Sequence, residues 1–458
     1  MPDVSKKTVK IDMLHGPMLK KIIIFSLPLI ASGILQQSFN AIDVAVVGRF
    51  STSQALAAVG STGVIISIMI NLFLGISVGA NVVIANYIGR DNKEGIRKSI
   101  GTSIALALIS GVFLLIIGTL FARPILEMMN TPHDVIDLAS EYLRIFFLGM
   151  PFMMLFNFGA AILRSLGDTR RPFYSLIVAG IVNTVLNVFL VVGCGMSVEG
   201  VAIATVVANI INAFFIIRWL MRERAPFTLE WRKIALHMPE LKKLLNIGVP
   251  AGLQGMVFSI ANIFIQSSIN EFGSTAVAGS AAALNYELYC YFIMVAFNQA
   301  VMAFVSQNYG AGQYDRCRHA FRICMVLAVT SVAAANLTIV IFDRFFVGLF
   351  STDPAVMEFA STRLHYALMW QWIASSYEIS GASMRALGHS MTPTVLTIIG
   401  TCVLRLIWVY TVAEHNHDFG LLISIYPITW IITGILVVIA YLRLSHKAYA
   451  PKISAGKV

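Results

Sequence analysis

Charge is what this chain has least of: Asp, Glu, Lys and Arg make up 12% of its 458 residues against 57% hydrophobic, and mean hydropathy is +0.78. Soluble domains are about one-quarter charged, so a fold with water on every side is excluded. Cysteine is also scarce. Cys194, Cys290, Cys317, Cys324 and Cys402 show no CxxC spacing, which argues against a metal knuckle and leaves them as packing residues. A cleavable leader is missing as well, because Met1 to Lys21 is polar and basic and the apolar run Ile22 to Val47 exceeds a signal-peptide core. Nor is there a single basic patch. The net charge of +10 comes from residues that recur at alternate loops, a pattern of membrane topology that speaks against a nucleic-acid partner.

What fills the chain instead is a series of apolar runs, each long enough to cross ~30 Å of hydrocarbon. Breaking them at charge clusters, Gly and Pro predicts twelve spans, near 22–48, 55–85, 98–121, 135–163, 172–193, 198–219, 243–269, 275–306, 320–342, 356–384, 393–413 and 419–442. With the N-terminus inside, one side collects most of the 33 Lys and Arg residues: Lys6, Lys7, Lys10, Lys20 and Lys21, then the groups around Arg90, Arg164 and Arg218 to Lys243. Arg316, Arg385 and Arg443 to Lys457 continue the series, while Arg49, Arg123, Arg144, Arg344 and Arg363 fall near the other side. The excess of positive charge on one side places both termini in the cytoplasm.

The chain also repeats. Sliding it on itself by 221 or 222 residues lays Leu163 to Thr169 on Met384 to Ser390, and Pro172 on Pro393. The same shift lays Pro28, Gly33 and Asn40 on Pro250, Gly255 and Asn262. The organisation that follows is a cytoplasmic segment 1–21, a six-helix lobe 22–223, a basic cytoplasmic linker 224–242, a second six-helix lobe 243–445 and a cytoplasmic tail 446–458. Six spans is an even number, so both halves enter from the same side and are related by an axis along the membrane normal. Such a duplicated bundle suits alternating access through a cleft between its halves.

Several motifs carry a family resemblance. Leu35-Gln36-Gln37, Asp43, Val47-Gly48-Arg49-Phe50, Ala55-Leu56-Ala57-Ala58-Val59-Gly60 and Gln307-Asn308-Tyr309-Gly310-Ala311-Gly312, with the turns beginning at Arg164 and Arg385, resemble the prokaryotic multidrug and toxic compound extrusion (MATE) exporters, closest to their DinF-like branch. The resemblance implies an all-α membrane protein of twelve helices in two pseudo-symmetric lobes. It further implies an antiporter, not an enzyme, that exports organic cations or amphipathic drugs across the cytoplasmic (inner) membrane in exchange for H+ or Na+. A monomer with no cofactor beyond the coupling ion, and with the lipid bilayer and small-molecule drugs as its partners, is expected.

Intramembrane ionisable residues are costly and mark function; Asp43, Glu287, Glu378 and Arg405 are the clear cases. Asp43 lies six residues before Arg49, roughly 9 Å below that end of its span. Asn187 and Thr205 reach the same depth on two other spans, and Asn183 sits one turn from Asn187. A carboxylate with amide and hydroxyl oxygens suits either a small hard cation or a proton, and the resemblance assigns the same positions to cation coupling. No metal other than Na+ at Asp43 is expected. The family's fifth-helix position is often acidic where this chain has Asn187, and Phe258 replaces a seventh-helix glutamate, so coupling is expected in the first half. Gln36, Gln37, Glu287, Glu378 and Tyr286 are candidates to line the substrate cavity. Arg405 is expected to form a structural ion pair with Glu378 or Glu287. Three buried acids against one Arg favour cationic cargo, and disfavour the alternative of a lipid-linked saccharide flippase, whose diphosphate ligands call for a cationic cavity.

Overall fold

The computed structural model describes residues 10–129, 131–413, 416 and 418–450; Lys6, Lys7, Lys452 and Lys457, counted in the charge pattern above, lie outside them. Seventeen α-helices follow one another, and no strand occurs among the described residues. They are α1 (Met18–Phe50), α2 (Ser53–Gly89), α3 (Lys93–Met128), α4 (Ile136–Leu148), α5 (Met150–Ser165), α6 (Arg170–Val188), α7 (Val198–Met221), α8 (Met238–Asn270) and α9 (Ser274–Gly310). Then come α10 (Tyr314–Ile341), α11 (Asp343–Gly348), α12 (Pro354–Tyr366), α13 (Ala374–Ala386), α14 (Met391–Thr397), α15 (Leu404–Trp408), α16 (Phe419–Ile423) and α17 (Ile425–Ala448).

Ten continuous helical segments are long and apolar enough to cross a membrane, and the pair α4 and α5, bent by 48°, makes an eleventh. The remaining expected span, 356–384, is α12, a 3₁₀ turn at Leu368–Ile373 and α13. Its composition explains why it stands apart: Arg363, Glu378, Arg385 and a run of serines lower its hydropathy, and it is buried inside the protein at Arg363, Ser375, Ser380 and Ser383. A span wrapped by other helices can carry polar groups that lipid would not accept.

Helix ends follow local chemistry. Thr52 and Asn92 cap α2 and α3 by accepting from Ala55 N–H at 3.2 Å and Gly95 N–H at 2.9 Å, the preferred N-cap arrangement. The two repeated turns close in the same way. Gly167 and Gly388 have φ of +82° and +91°, and the next residue donates back five positions, Asp168 to Leu163 and His389 to Met384, both at 2.9 Å. Only glycine takes that backbone cheaply, which is why each half ends its fourth span on Leu-Gly.

Two compact units result, 1–259 and 260–458, and the division falls inside α8. A Cβ on Gly75 would lie 2.1 Å from the Gly252 nitrogen, one on Gly79 2.2 Å from the Leu244 oxygen, and one on Gly252 2.2 Å from the Leu72 oxygen. With glycine on both helices the backbones of α2 and the first part of α8 touch, as small residues permit in membranes. In the second unit Ile265, Val409, Phe419, Leu422, Tyr426 and Trp430 belong to one buried apolar cluster.

Candidate functional site

In the first unit the site grows from the crossing of α1 and α6. A side chain at Gly180 would collide with the Phe39 ring, 1.8 Å from its nearest atom, so glycine lets the ring lie against α6. One turn along α1 from Phe39 is Asp43. Three and seven residues along α6 from Gly180 are Asn183 and Asn187, the same helical face. Asn187 is fully buried and donates from Nδ2 to Asp43 Oδ1. With its amide turned to satisfy both neighbours, Asn183 donates to Asp43 Oδ1 at 3.0 Å and accepts from the Thr205 backbone N–H at 3.3 Å. The structure thus brings Asp43, Asn183 and Asn187 together, while Thr205 enters through its main chain. Its hydroxyl donates to the Val201 carbonyl at 3.0 Å along its own helix.

Two features mark this cluster beyond the contact itself. The Asn187 Oδ1 is buried without a hydrogen-bond partner, a costly state unless something else completes it. Immediately after Asn187 the helix loosens into a π-helical turn, Phe189–Gly193, a feature frequent at functional sites. Asp43 itself is half-buried, so a small ion could reach it. A carboxylate beside an unsatisfied amide oxygen is a hard-oxygen donor set that fits Na+ and equally fits a proton shared between carboxyl and amide.

The second unit is arranged otherwise. Glu287, on α9, is held in a bidentate pair by Arg363 on α12, Nε to Oε1 at 2.6 Å and Nη2 to Oε2 at 3.0 Å, and Arg363 Nη1 donates to Ser280 at 2.6 Å. Gln371 donates to the Glu287 carbonyl at 2.9 Å. Glu378 accepts from Asn298 at 2.7 Å. The expected ion pair of Arg405 with Glu287 or Glu378 is therefore corrected. Fully buried, Arg405 donates from Nε to Thr429 and from Nη1 to Asn262, both at 3.4 Å, and its guanidinium lies 4.4 Å over the Tyr426 ring. That ring also carries Arg363 at 5.5 Å, so an aromatic face supplies part of what a carboxylate was expected to supply.

Two cavity candidates have partners inside their own unit. Glu287 is neutralised inside its unit, and Tyr286 donates its hydroxyl to the Phe346 carbonyl at 2.7 Å with its ring against Phe346 and Phe350. Gln36 is exposed and Gln37 and Glu378 are half-buried. Arg363 is the residue that sequence reasoning missed. The charge pattern sets it near the outer side, yet it lies inside the 356–384 segment, and that position is the available signal. With Arg363 and Arg385 buried, the surplus of acids disappears.

The MatE family profile matches twice, over residues 28–189 and 250–411, so each half of the repeat is one copy of the unit. The probable multidrug resistance protein YoeA of Bacillus subtilis is 30% identical over 383 residues, covering 82% of each chain. The FAD transporter of Shewanella oneidensis is 26% identical over 92% of this chain and 94% of its own. Among solved structures, an outward-facing multidrug resistance MATE family transporter of the MOP superfamily superposes with a TM-score of 0.89 at 23% identity, covering 95% of this chain and 98% of that one. The twelve-span all-α fold with its duplicated halves is that of these transporters, and the chain belongs to the MATE family, whose members are secondary membrane transporters and not enzymes.

Proposed function

We propose that this MATE transporter exports organic cations or amphipathic drugs across the cytoplasmic membrane in exchange for H+ or Na+ by alternating access, with Asp43 as the coupling group. The observation that carries the reading is the contact of Asp43 with Asn187 and Asn183. An ionised Asp43 accepts from the Asn187 Nδ2. When a proton or Na+ arrives, the need is for an oxygen, and the amide has one, Oδ1, buried and unused. Turning that one amide exchanges a donor for an acceptor, so α6 answers the charge state of α1. Neutralising a carboxylate in a low-dielectric surrounding removes several kcal/mol of desolvation cost, enough to bias a two-state equilibrium. Gln36 and Gln37, on the same helix as Asp43, would meet the cargo. Both termini are placed in the cytoplasm by the positive charge on their side, and the working unit is taken as a monomer.

The test is ethidium exchange in proteoliposomes under an imposed pH gradient and, separately, an imposed Na+ gradient. Asp43→Asn, with unchanged elution in detergent, is expected to lose exchange driven by either gradient. Full ion-driven exchange by this variant would refute the coupling role. A second reading is an anionic amphipath of the dinucleotide type, supported by the FAD transporter among the relatives and by the buried arginines of the second unit. Replacing ethidium by FAD in the same vesicles separates the two.

A further inference from the structure

The two MatE matches begin 222 residues apart, at Pro28 and Pro250, and end 222 apart, at positions 189 and 411; near those ends a shift of 222 sets Asp43 on Ile265, Asn183 on Arg405 and Asn187 on Val409. The shift at Pro172 and Pro393 is one residue smaller. The extra residue is accommodated by the π-helical turn Ile398–Val403 that precedes Arg405, since a π turn holds one residue more than an α turn. Farther on, α7 starts at Val198 and α16 at Phe419, a register of 221 that sets Thr205 on Tyr426. Every member of the Asp43 cluster thus has a counterpart, and the counterparts also meet. Ile265 and Val409 are buried in one apolar cluster with Tyr426. Arg405 stacks on Tyr426 and donates to Asn262, the counterpart of Asn40.

The chemistry has been exchanged in pairs. The carboxylate and amide that face each other in the first half are two aliphatic side chains in the second. The amide and threonine pair has become a guanidinium on an aromatic ring. A positive charge stands where the first half is built to receive one, and a guanidinium keeps that charge throughout the range of cellular pH. We propose that Arg405 is a tethered cation: it holds the second half permanently in the ion-loaded arrangement that the first half reaches only when Asp43 is neutralised, so that one coupling ion moves per cycle. This rests on the coupling role proposed for Asp43.

Three measurements in proteoliposomes, with ethidium as the probe and the membrane potential clamped at zero, test it. In the wild type, the steady ethidium accumulation ratio is expected to rise with the first power of the imposed ion concentration ratio; a second-power dependence overturns the proposal. Arg405→Gly is expected to lose exchange and to regain it when methylguanidinium is added, whereas Arg405→Lys keeps it. Should Arg405→Gly remain folded by its elution profile and either transport normally or ignore methylguanidinium, the guanidinium is only packing and the proposal fails. If Arg405→Gly does not fold, Arg405→Lys decides, because a tethered charge tolerates that change and loss of exchange in a folded lysine variant counts against it. Failure of the Asp43 reading shows elsewhere, as ion-driven exchange by Asp43→Asn.

Discussion

Removing one partner of the Glu287–Arg363 pair tests the energetics of the second unit most directly. Arg363 is 2% and Glu287 6% exposed, and both carboxylate oxygens are taken. In Glu287→Gln the guanidinium keeps Ser280 and its position over Tyr426 but loses its countercharge. Stranding a buried charge in this way costs about 3–5 kcal/mol, whereas replacing both partners by apolar groups of similar volume is often close to neutral. The cation–π contact with Tyr426 is made in the wild type and kept in the variant, so it offsets none of this, and the single variant is expected to lose about 3–5 kcal/mol. Glu287→Met with Arg363→Met is expected to lose less than either single change, the sign of a coupled pair. The assay is a double-mutant cycle by reversible unfolding in mixed detergent micelles. A single-variant loss below ~1 kcal/mol, the level of an exposed pair, or a double variant whose loss equals the sum of the singles, would refute the reasoning. Because Arg363 already neutralises Glu287, the folded Glu287→Gln protein should also keep the pH profile of wild-type exchange, unlike Asp43→Asn.

Other outcomes follow from particular contacts. Gly180→Val should push the Phe39 ring off α6 and separate Asp43 from Asn187, abolishing ion-driven exchange; Phe39→Ala in the same chain should restore part of it, and no recovery would break the argument. Gly79→Leu should destabilise the protein by about 1–3 kcal/mol or more through overpacking against the Leu244 backbone, while Gly60→Ala, with nothing within 4 Å of its Cβ, should be silent in thermal stability measured by size exclusion. At the helix ends, burial raises the Glu223 carboxyl, but Lys10 and Arg171 outweigh it and hold it below the usual carboxylate range. A depressed folded value means that this network stabilises the protein above the unfolded carboxylate range and is lost as pH falls through the folded value. Hydrogen exchange at residues 10–16 should therefore accelerate in acid below pH ~4 in the wild type, and be fast already at neutral pH in Glu223→Gln.

The large-scale architecture was legible because it rests on composition and period. Twelve apolar runs are twelve helical segments, and the repeated Leu-Gly turns announced two like halves before any contact was known. Breaks within spans were not legible: nothing in the residues Leu368–Ile373 marks a 3₁₀ turn, and π-helical turns leave no periodic trace over five residues. Depth along a helix, counted from span ends, sets Asp43, Asn187 and Thr205 at one level with Asn183 one turn from Asn187; in the structure both amides lie against Asp43, and Thr205 enters through its main chain. What counting from ends does not give is which neighbour a side chain faces. For Arg405 a carboxylate is expected because charge calls for charge, yet an aromatic ring, an amide and a hydroxyl are among its partners. Arg363 is counted with the outer-side charges, although it falls within the 356–384 run and is buried there.

The glycine contacts between α2 and α8 bear on what the covalent chain is needed for. Residues 222–237 connect α7 to α8, but the first part of α8 is gripped by α2 backbone to backbone through Gly75, Gly79, Gly248 and Gly252. A nick in that connection leaves α8 seated. Two separately expressed fragments, cut between α7 and α8, should then find one another in the membrane and reconstitute the transporter.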